Sequence, residues 1–457
     1  MMTFDDIHPD RVQALNDKDL NEDGRYILYW MQQSQRGEWN HALEYAIRMA
    51  KEQDCTVLSV FGLTEDYPDG NARHFHFMVQ GLQDAQESLA KRDVKLLIRM
   101  GNPPDVALEL QDEAVAIVCD RGYLRHQREW REQVAEQADC QVIQVESDLV
   151  VPIESASDKQ EYAARTIRKQ LMEQYEDYLE KLSRLMPPKS STGYSMATED
   201  ISSADSFVEN LNTDHSVAPV EEFTGGTKAA KRLFSTFMNN HLTEYDEHRS
   251  DPHLQHVSYM SMYLHLGQIS PCYLLSEVKQ SHSYDNRDSY IDELLVRREL
   301  AANFVFYTPD HYDDWQGLPD WARETLEDHK DDDREKVYTR SELENAETDD
   351  EYWNAAMTQM KQRGYLHNHM RMYWGKRILA YTNTPRYAYK TALYLNNKYF
   401  LDGRDCNSFA NIAWLFGRHD RAWQERDVYG KVRIMTPGGL EGKTDIDKFV
   451  EMVEADS

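Results

Sequence analysis

Five short apolar runs recur between residues 25 and 147: RYILYW (25–30), CTVLSVFGL (55–63), VKLLIRMG (94–101), AVAIVCD (114–120) and CQVIQVES (140–147). They are rich in β-branched residues and lack the alternation of a half-solvated strand, which is the pattern of strands covered on both faces. Helically spaced stretches separate them, WNHALEYAIRMAKEQ and RHFHFMVQGLQDAQESLAKR among them. Each is long enough to cross back over a sheet, so residues 24–150 read as an α/β domain on a parallel five-stranded sheet. No Gly-x-Gly-x-x-Gly follows the first run, and the dinucleotide fingerprint is missing.

Past Val151-Pro152 the strand pattern fades. Residues 151–227 read as a helix and an interdomain linker, because 187–226 holds Pro187-Pro188, a Ser/Thr-rich stretch and Gly225-Gly226. Residues 228–457 carry helical spacing almost throughout and predict an all-α second domain.

Charge sharpens this outline. Lys and Arg number 51 against 80 Asp and Glu, a net −29, so the surface as a whole should repel nucleic acid and anionic membrane. Residues 361–443 reverse the sign, with 15 Lys/Arg, 6 Asp/Glu and 14 aromatics. A basic, aromatic-rich patch supplies charge for phosphates and flat faces for unstacked bases. An ordinary helical core with a solvated basic face fits the same counts. The five cysteines are scattered without a CxxC pair, and the acidic, polar start of the chain lacks a signal-peptide pattern. No apolar run approaches the ~20 residues of a membrane span. The expectation is a cytoplasmic monomer without a membrane partner.

Two tempting motifs fail. Gly442-Lys443-Thr444 has Pro437 where a phosphate loop needs glycine, and His74-x-His76 and His367-x-His369 lack ligand partners, so no metal site is expected. A longer pattern does not fail. DGRDCNSFANIAWLFGRHDRAWQERDVYGKVRIM (402–435), YMSMYLHLGQIS (259–270), DELLVRRELAANF (292–304) and LHNHMRMYWGKRIL (366–379), with RHFHFMVQGL (73–82) and KQEYAARTIR (159–168) upstream, resemble class II cyclobutane pyrimidine dimer photolyases. The resemblance spans all but the N-terminal tail and the linker. It implies a Rossmann-like antenna domain followed by an all-helical FAD domain.

The resemblance also implies a site. Tyr245, Arg249 and Val257, Ser258, Tyr259, Met260 and Ser261 correspond to the cradle of the FAD diphosphate and ribityl chain. Arg298 and Asn303 face the cofactor, Asn396 lies beside flavin N5, Arg371 pairs with Asp402 nearby, and Gly403 and Arg404 complete the motif. An anionic reduced flavin needs donors at its charged edge and a dry site. On the lesion side Glu293 corresponds to the acid that hydrogen-bonds the dimer, and Met372 and Trp414 to its pocket. Arg421 and Trp423 correspond to the residues that fill the hole left by the flipped dimer, and photolyases are an established base-flipping class. Arg297 stands where some members carry a wedge tryptophan.

The implied activity is a carbon–carbon lyase reaction on UV-damaged DNA. Reduced, excited FAD passes an electron to the dimer, the ring splits, and the electron returns. Trp374 and Trp353 match the proximal and middle members of the chain that refills the flavin. The distal member is Tyr381 rather than tryptophan, with Tyr338 and Tyr373 beside it. The alternative reading is a cryptochrome-like blue-light photoreceptor without repair activity. The α/β domain has room for an antenna chromophore, and the sequence leaves open a deazaflavin, a pterin, FMN or none.

Overall fold

A computed structural model describes residues 2–179, 182–282 and 284–456. The sheet contains β1 (Val12–Ala14), β2 (Tyr26–Met31), β3 (Thr56–Leu63), β4 (Lys95–Met100), β5 (Ala114–Asp120) and β6 (Gln141–Val145), in the order β1-β6-β5-β2-β3-β4. The five apolar runs become β2 to β6, all parallel. Every residue of β2, β3 and β5 is buried, which explains why their sequences do not alternate.

The expected five-stranded parallel sheet needs correction: it has six strands and is mixed. β1 pairs antiparallel with β6, Val12 opposite Val145. Only three residues long and largely exposed, β1 carries no apolar pattern. Its position is set instead by Arg11, whose buried guanidinium donates to the carbonyls of Leu149 (3.1 Å), Val150 and Tyr178 (both 2.8 Å).

The strand order reverses direction around β2, and a crevice opens beyond the carboxyl ends of β2, β3 and β5, as in doubly wound sheets generally. Asp120 builds the rim. Its buried carboxylate accepts the N–H groups of Gln32 (3.1 Å), Gln33 (2.8 Å) and Ser34 (3.2 Å) and the hydroxyl of Tyr29 (2.9 Å). Burial raises its pKa, and these bonds to the charged form offset part of the rise.

Residues 182–226 form a strap along the α/β layer. Ser191 is fully buried, donating to Val57 O (2.6 Å) and accepting from Lys95 N (2.8 Å), and the Ala204–Glu209 helix packs on the Ala72–Ala90 helix. Small hydroxyl side chains that suggest a loop here serve as backbone partners.

The helical half runs from the Thr227–Asn240 helix to the Ile446–Ala455 helix. Within it Asp292–Arg297 is π-helical, a geometry frequent at functional sites. The halves meet through polar clamps. Arg73 is buried without a carboxylate partner and donates to the carbonyls of Ala218, Tyr399 (both 2.9 Å), Lys361 (2.5 Å) and Met360 (3.4 Å). His74 Nε2 meets Phe400 O (3.1 Å), and Asn71 donates to Lys398 O (2.8 Å). Gly267, at φ +60°, packs so closely that a Cβ would lie 2.0 Å from Gln33 O. Arg73→Ala orphans several carbonyls at once. It should cost about 2–4 kcal/mol, read as a lower denaturant midpoint with unchanged slope.

Candidate cofactor and nucleic-acid site

The helical half gathers most of the residues singled out above. Arg249 follows the short Tyr245–His248 helix and donates to Glu293 Oε1 (2.8 Å) from over the Tyr245 ring. Burial opposes the Arg249 charge, but the bond to Glu293 outweighs it and raises the guanidinium pKa. This pair links the π-helical segment to the end of the Tyr245–His248 helix. Tyr290 donates to Ser258 Oγ (3.0 Å) and Tyr259 to Gln255 Oε1 (2.6 Å). Gln255 and Tyr259 both have positive φ (52° and 59°), so the chain winds through left-handed turns before Ser261 opens a helix. Strained backbone of this kind is concentrated at ligand sites. Met260 is buried beneath it.

A second group lies around Phe400. Arg371, on the Asn368–Tyr381 helix, pairs with Asp402 (3.1 Å) and covers the Phe400 ring at 3.9 Å. Trp374, one turn on, meets the Phe400 ring edge-on, with centroids 6.2 Å apart. Its indole N–H is buried without an acceptor, which is uncommon for tryptophan. Asn396 donates to Ser408 Oγ (2.6 Å) and Asn397 Oδ1 (2.9 Å). Gly403 allows the chain to fold back, since a Cβ would sit 2.8 Å from Asn396 O. Behind Trp374, Trp353 donates to the Trp374 carbonyl (2.9 Å), and the Trp353 and Tyr381 rings lie 6.1 Å apart.

A third group faces solvent. Trp423 is 37% exposed, with Arg421 at 4.8 Å and Arg433 at 4.3 Å from its ring. Asp420 fixes this stack, accepting from Arg433 (2.8 and 3.1 Å) and from the Trp423 indole (3.3 Å). Arg433 also lies 5.6 Å from the half-buried Trp414. From beneath, Lys376 sits 4.7 Å from that indole and donates to Leu415 O (2.5 Å). Burial pushes the Lys376 pKa down to about 7. Cation–π stacking of this kind presents a flat, charged surface suited to bases and phosphates.

A cavity occupies the crevice of the α/β half, lined by Phe61, Tyr67, Phe75 and Trp130 with Gln32, Gln35, His74, His265 and Arg404. Its polar lining is buried and unsatisfied at Gln32 Nε2 and Oε1, Gln35 Oε1, His74 Nδ1, His265 Nε2 and Arg404 Nε. Burial and the neighbouring Arg404 charge keep both imidazoles neutral, His265 near pKa about 4. Each points its other nitrogen at a carbonyl, His74 at Phe400 and His265 at Leu401 (2.8 Å). The nitrogens facing the cavity are therefore acceptors, while Arg404 offers a donor.

A model of the DNA photolyase family matches residues 27–188. The chain is 43% identical over 449 residues to the deoxyribodipyrimidine photo-lyase of Methanothermobacter thermautotrophicus, covering 98% of each chain. It is 33% identical over 466 residues to that of Arabidopsis thaliana, covering 98% of this chain and 93% of the relative. The chain belongs to the photolyase family. Among solved structures, a class III photolyase from Agrobacterium tumefaciens shares the fold at TM-score 0.72 and 18% identity, covering 96% of this chain and 88% of that one. A Synechocystis cryptochrome does so at 0.70 and 17%, covering 92% and 86%.

Several residues suggested by the photolyase resemblance have partners of their own in the structure. Asn303 is fully buried, its amide spent on Glu161 N (2.7 Å) and Lys159 O (2.9 Å). Arg298 pairs with Asp148 (2.8 Å) at the junction of the halves. Arg404 has positive φ (67°) and turns away from Arg371 and Asp402 to line the α/β cavity over Tyr67. Arg297 is exposed and pairs with Asp292 rather than filling an apolar wall. Met372 is half-buried on the same helix as Arg371. Sequence reasoning passed over Arg433, Asp420, Lys376 and Asp350. Arg433 and Asp420 lie inside the 402–435 motif, and their charges were the available signal. Among the described residues no group of His, Cys, Asp and Glu is placed to hold a metal ion, and no helix is long and apolar enough to cross a membrane.

Proposed function

We propose that this photolyase is a class II enzyme that binds FAD in its helical half and splits cyclobutane pyrimidine dimers in UV-damaged DNA. The observation that carries this reading is the end-to-end 43% identity with a relative named deoxyribodipyrimidine photo-lyase. The domain division at 24–150, 151–227 and 228–457 belongs to the same reading. What the cofactor supplies when bound is a light-driven electron, lent to the dimer and recovered once the ring has opened.

The fit of the group rests on features of this chain. Arg371, paired with Asp402, offers donors for an anionic ring edge, and the amide of Asn396, which bonds Ser408 and Asn397, would add one by turning from either. Tyr245, Arg249 and residues 257–261 offer a polar, turned backbone for the diphosphate. The orphaned Trp374 N–H marks a place where the interior lacks an acceptor of its own. Glu293 reaches the lesion from the same π-helical segment and is oriented by Arg249. Met372 and Trp414 wall the flipped dimer, and Arg421 and Trp423 enter the vacated stack. The exposed Trp423 stack favours repair over a purely signalling role, which has no use for a base substitute on the surface. Illuminating the reduced protein with dimer-containing DNA should restore the pyrimidines, and DNA left unchanged would refute the reading.

The α/β cavity is, on this reading, the antenna site. Its aromatic walls suit a planar heterocycle, and Arg404 with two acceptor imidazoles suits a ligand bearing both donors and an anionic edge. Arg404→Met should strip a second chromophore from the absorption spectrum and leave FAD stoichiometric.

A further inference from the structure

We propose that Asp350 is the proton acceptor for one-electron oxidation of Tyr381. The inference rests on the reading that the helical half holds a flavin, and it goes beyond that reading in assigning the base.

The geometry is specific. Asp350 is the N-cap of the Glu351–Arg363 helix, and its Oδ1 accepts from Trp353 N (3.0 Å). That bond fixes the carboxylate to the residue whose ring neighbours Tyr381. The other oxygen, Oδ2, accepts the Tyr381 hydroxyl at 2.6 Å. Arg377 donates to Tyr381 Oη from Nε (3.1 Å) and Nη2 (2.9 Å), so the phenolic hydrogen has one direction left, toward Asp350. Tyr373 also donates to Oδ2, but the ring in edge contact with Trp353 is that of Tyr381.

Burial shapes the chemistry. Tyr381 is 6% exposed, and the Asp350 side chain 7%. Burial first, and then the Asp350 charge, raise the Tyr381 pKa above its ordinary value. Ionisation ahead of oxidation is thereby suppressed, and so is the loss of the proton to bulk water. A phenol that loses an electron becomes strongly acidic, and a carboxylate already in hydrogen-bond contact takes the proton without reorganisation.

The step balances. A bound, photoexcited oxidised flavin would supply the oxidant, and the electron leaving by way of Trp374 would place the positive charge on Trp353. Tyr381 gives one electron to Trp353, its O–H bond breaks, and an O–H bond forms on Asp350 Oδ2. Trp353 is restored, Tyr381 becomes a neutral radical, and Asp350 becomes a neutral acid. With the positive charge cancelled between Tyr381 and Asp350, the hole loses its electrostatic pull back toward the flavin.

Flash photolysis of the full-length, flavin-loaded protein tests this. In the wild type, a carboxylic C=O band in the infrared should grow in with the tyrosyl absorption as the tryptophan radical decays, and all three should slow in D2O. Asp350→Asn keeps an oxygen for the cap but cannot take the proton. It should slow tyrosyl formation on the order of a hundredfold, the loss expected for a positioned base. Tyr373→Phe should leave both signals in place. An unchanged tyrosyl rate in Asp350→Asn, or a tyrosyl radical in the wild type without the acid band, overturns the proposal. If Asp350→Asn does not fold, comparison of wild type with Tyr381→Phe decides by the acid band alone. Protein that binds no flavin overturns the flavin reading and this inference with it, and flavin-loaded protein that gives no tryptophan radical overturns this inference alone.

Discussion

Trp374→Phe should all but abolish photoreduction of oxidised flavin while sparing repair by chemically reduced protein. Trp374 is fully buried, contacts Phe400 at 6.2 Å, and offers its carbonyl to the indole of Trp353. Among the described residues it is the one indole that meets both Phe400 and Trp353. Phenylalanine fills most of the volume but is much harder to oxidise. Because the chain of rings acts as a unit, removing this member should slow photoreduction by about two orders of magnitude. The indole N–H has no partner, so the substitution sacrifices no hydrogen bond. Repair draws on the flavin and the lesion pocket, and its rate under reducing conditions should hold within about twofold, as for a group absent from the transition state. Steady illumination with an external reductant measures the first quantity, and pre-reduced protein on dimer DNA the second. Equal losses in both would make Trp374 part of the cofactor's packing and not of a route.

Trp423→Ala should weaken binding to dimer-containing duplex by about 1–3 kcal/mol, the worth of one base–aromatic stack. Undamaged duplex should be almost unaffected, since it has no vacated position to fill. The salt dependence of binding should keep its slope, because no phosphate contact is lost. Arg421→Ala should also weaken binding to dimer-containing duplex more than to undamaged duplex, since it enters the same vacated stack; equal losses with a salt slope lower by about one would make it a plain phosphate contact. The asymmetry follows from the stack itself: two guanidinium groups hold the indole at the surface, and Asp420 anchors one of them. Titrations of both duplexes across a salt series separate the outcomes. A loss of equal size on damaged and undamaged DNA would assign Trp423 to general docking.

The sheet was legible because burial on both faces leaves a sequence trace, and β2 to β6 each supply an apolar run. β1 leaves none, since it is three residues long and its anchor is an arginine bonded to carbonyls far along the chain. The stretch 187–226 reads as a linker because serine and threonine serve loops and backbone bonding alike. Site residues were legible by type but not by direction. Arg404 lies two positions from Asp402 in the same motif, yet a left-handed backbone turns it into the other half of the molecule. Asp350 was invisible for another reason. An aspartate before a helix is ordinary as a cap, and its second role exists only because Tyr373 and Tyr381, on another helix, converge on its free oxygen.

The clamps between the halves bear on how such a protein can be inherited. Arg73, His74 and Asn71 from the α/β half satisfy carbonyls at residues 360, 361 and 398–400, the stretch that leads directly into Asp402. A front half borrowed from a distant relative would bring its own sheet and its own crevice, yet leave those carbonyls unanswered at the edge of the cofactor group. Lineages can therefore vary the crevice residue by residue, but the two halves must descend together.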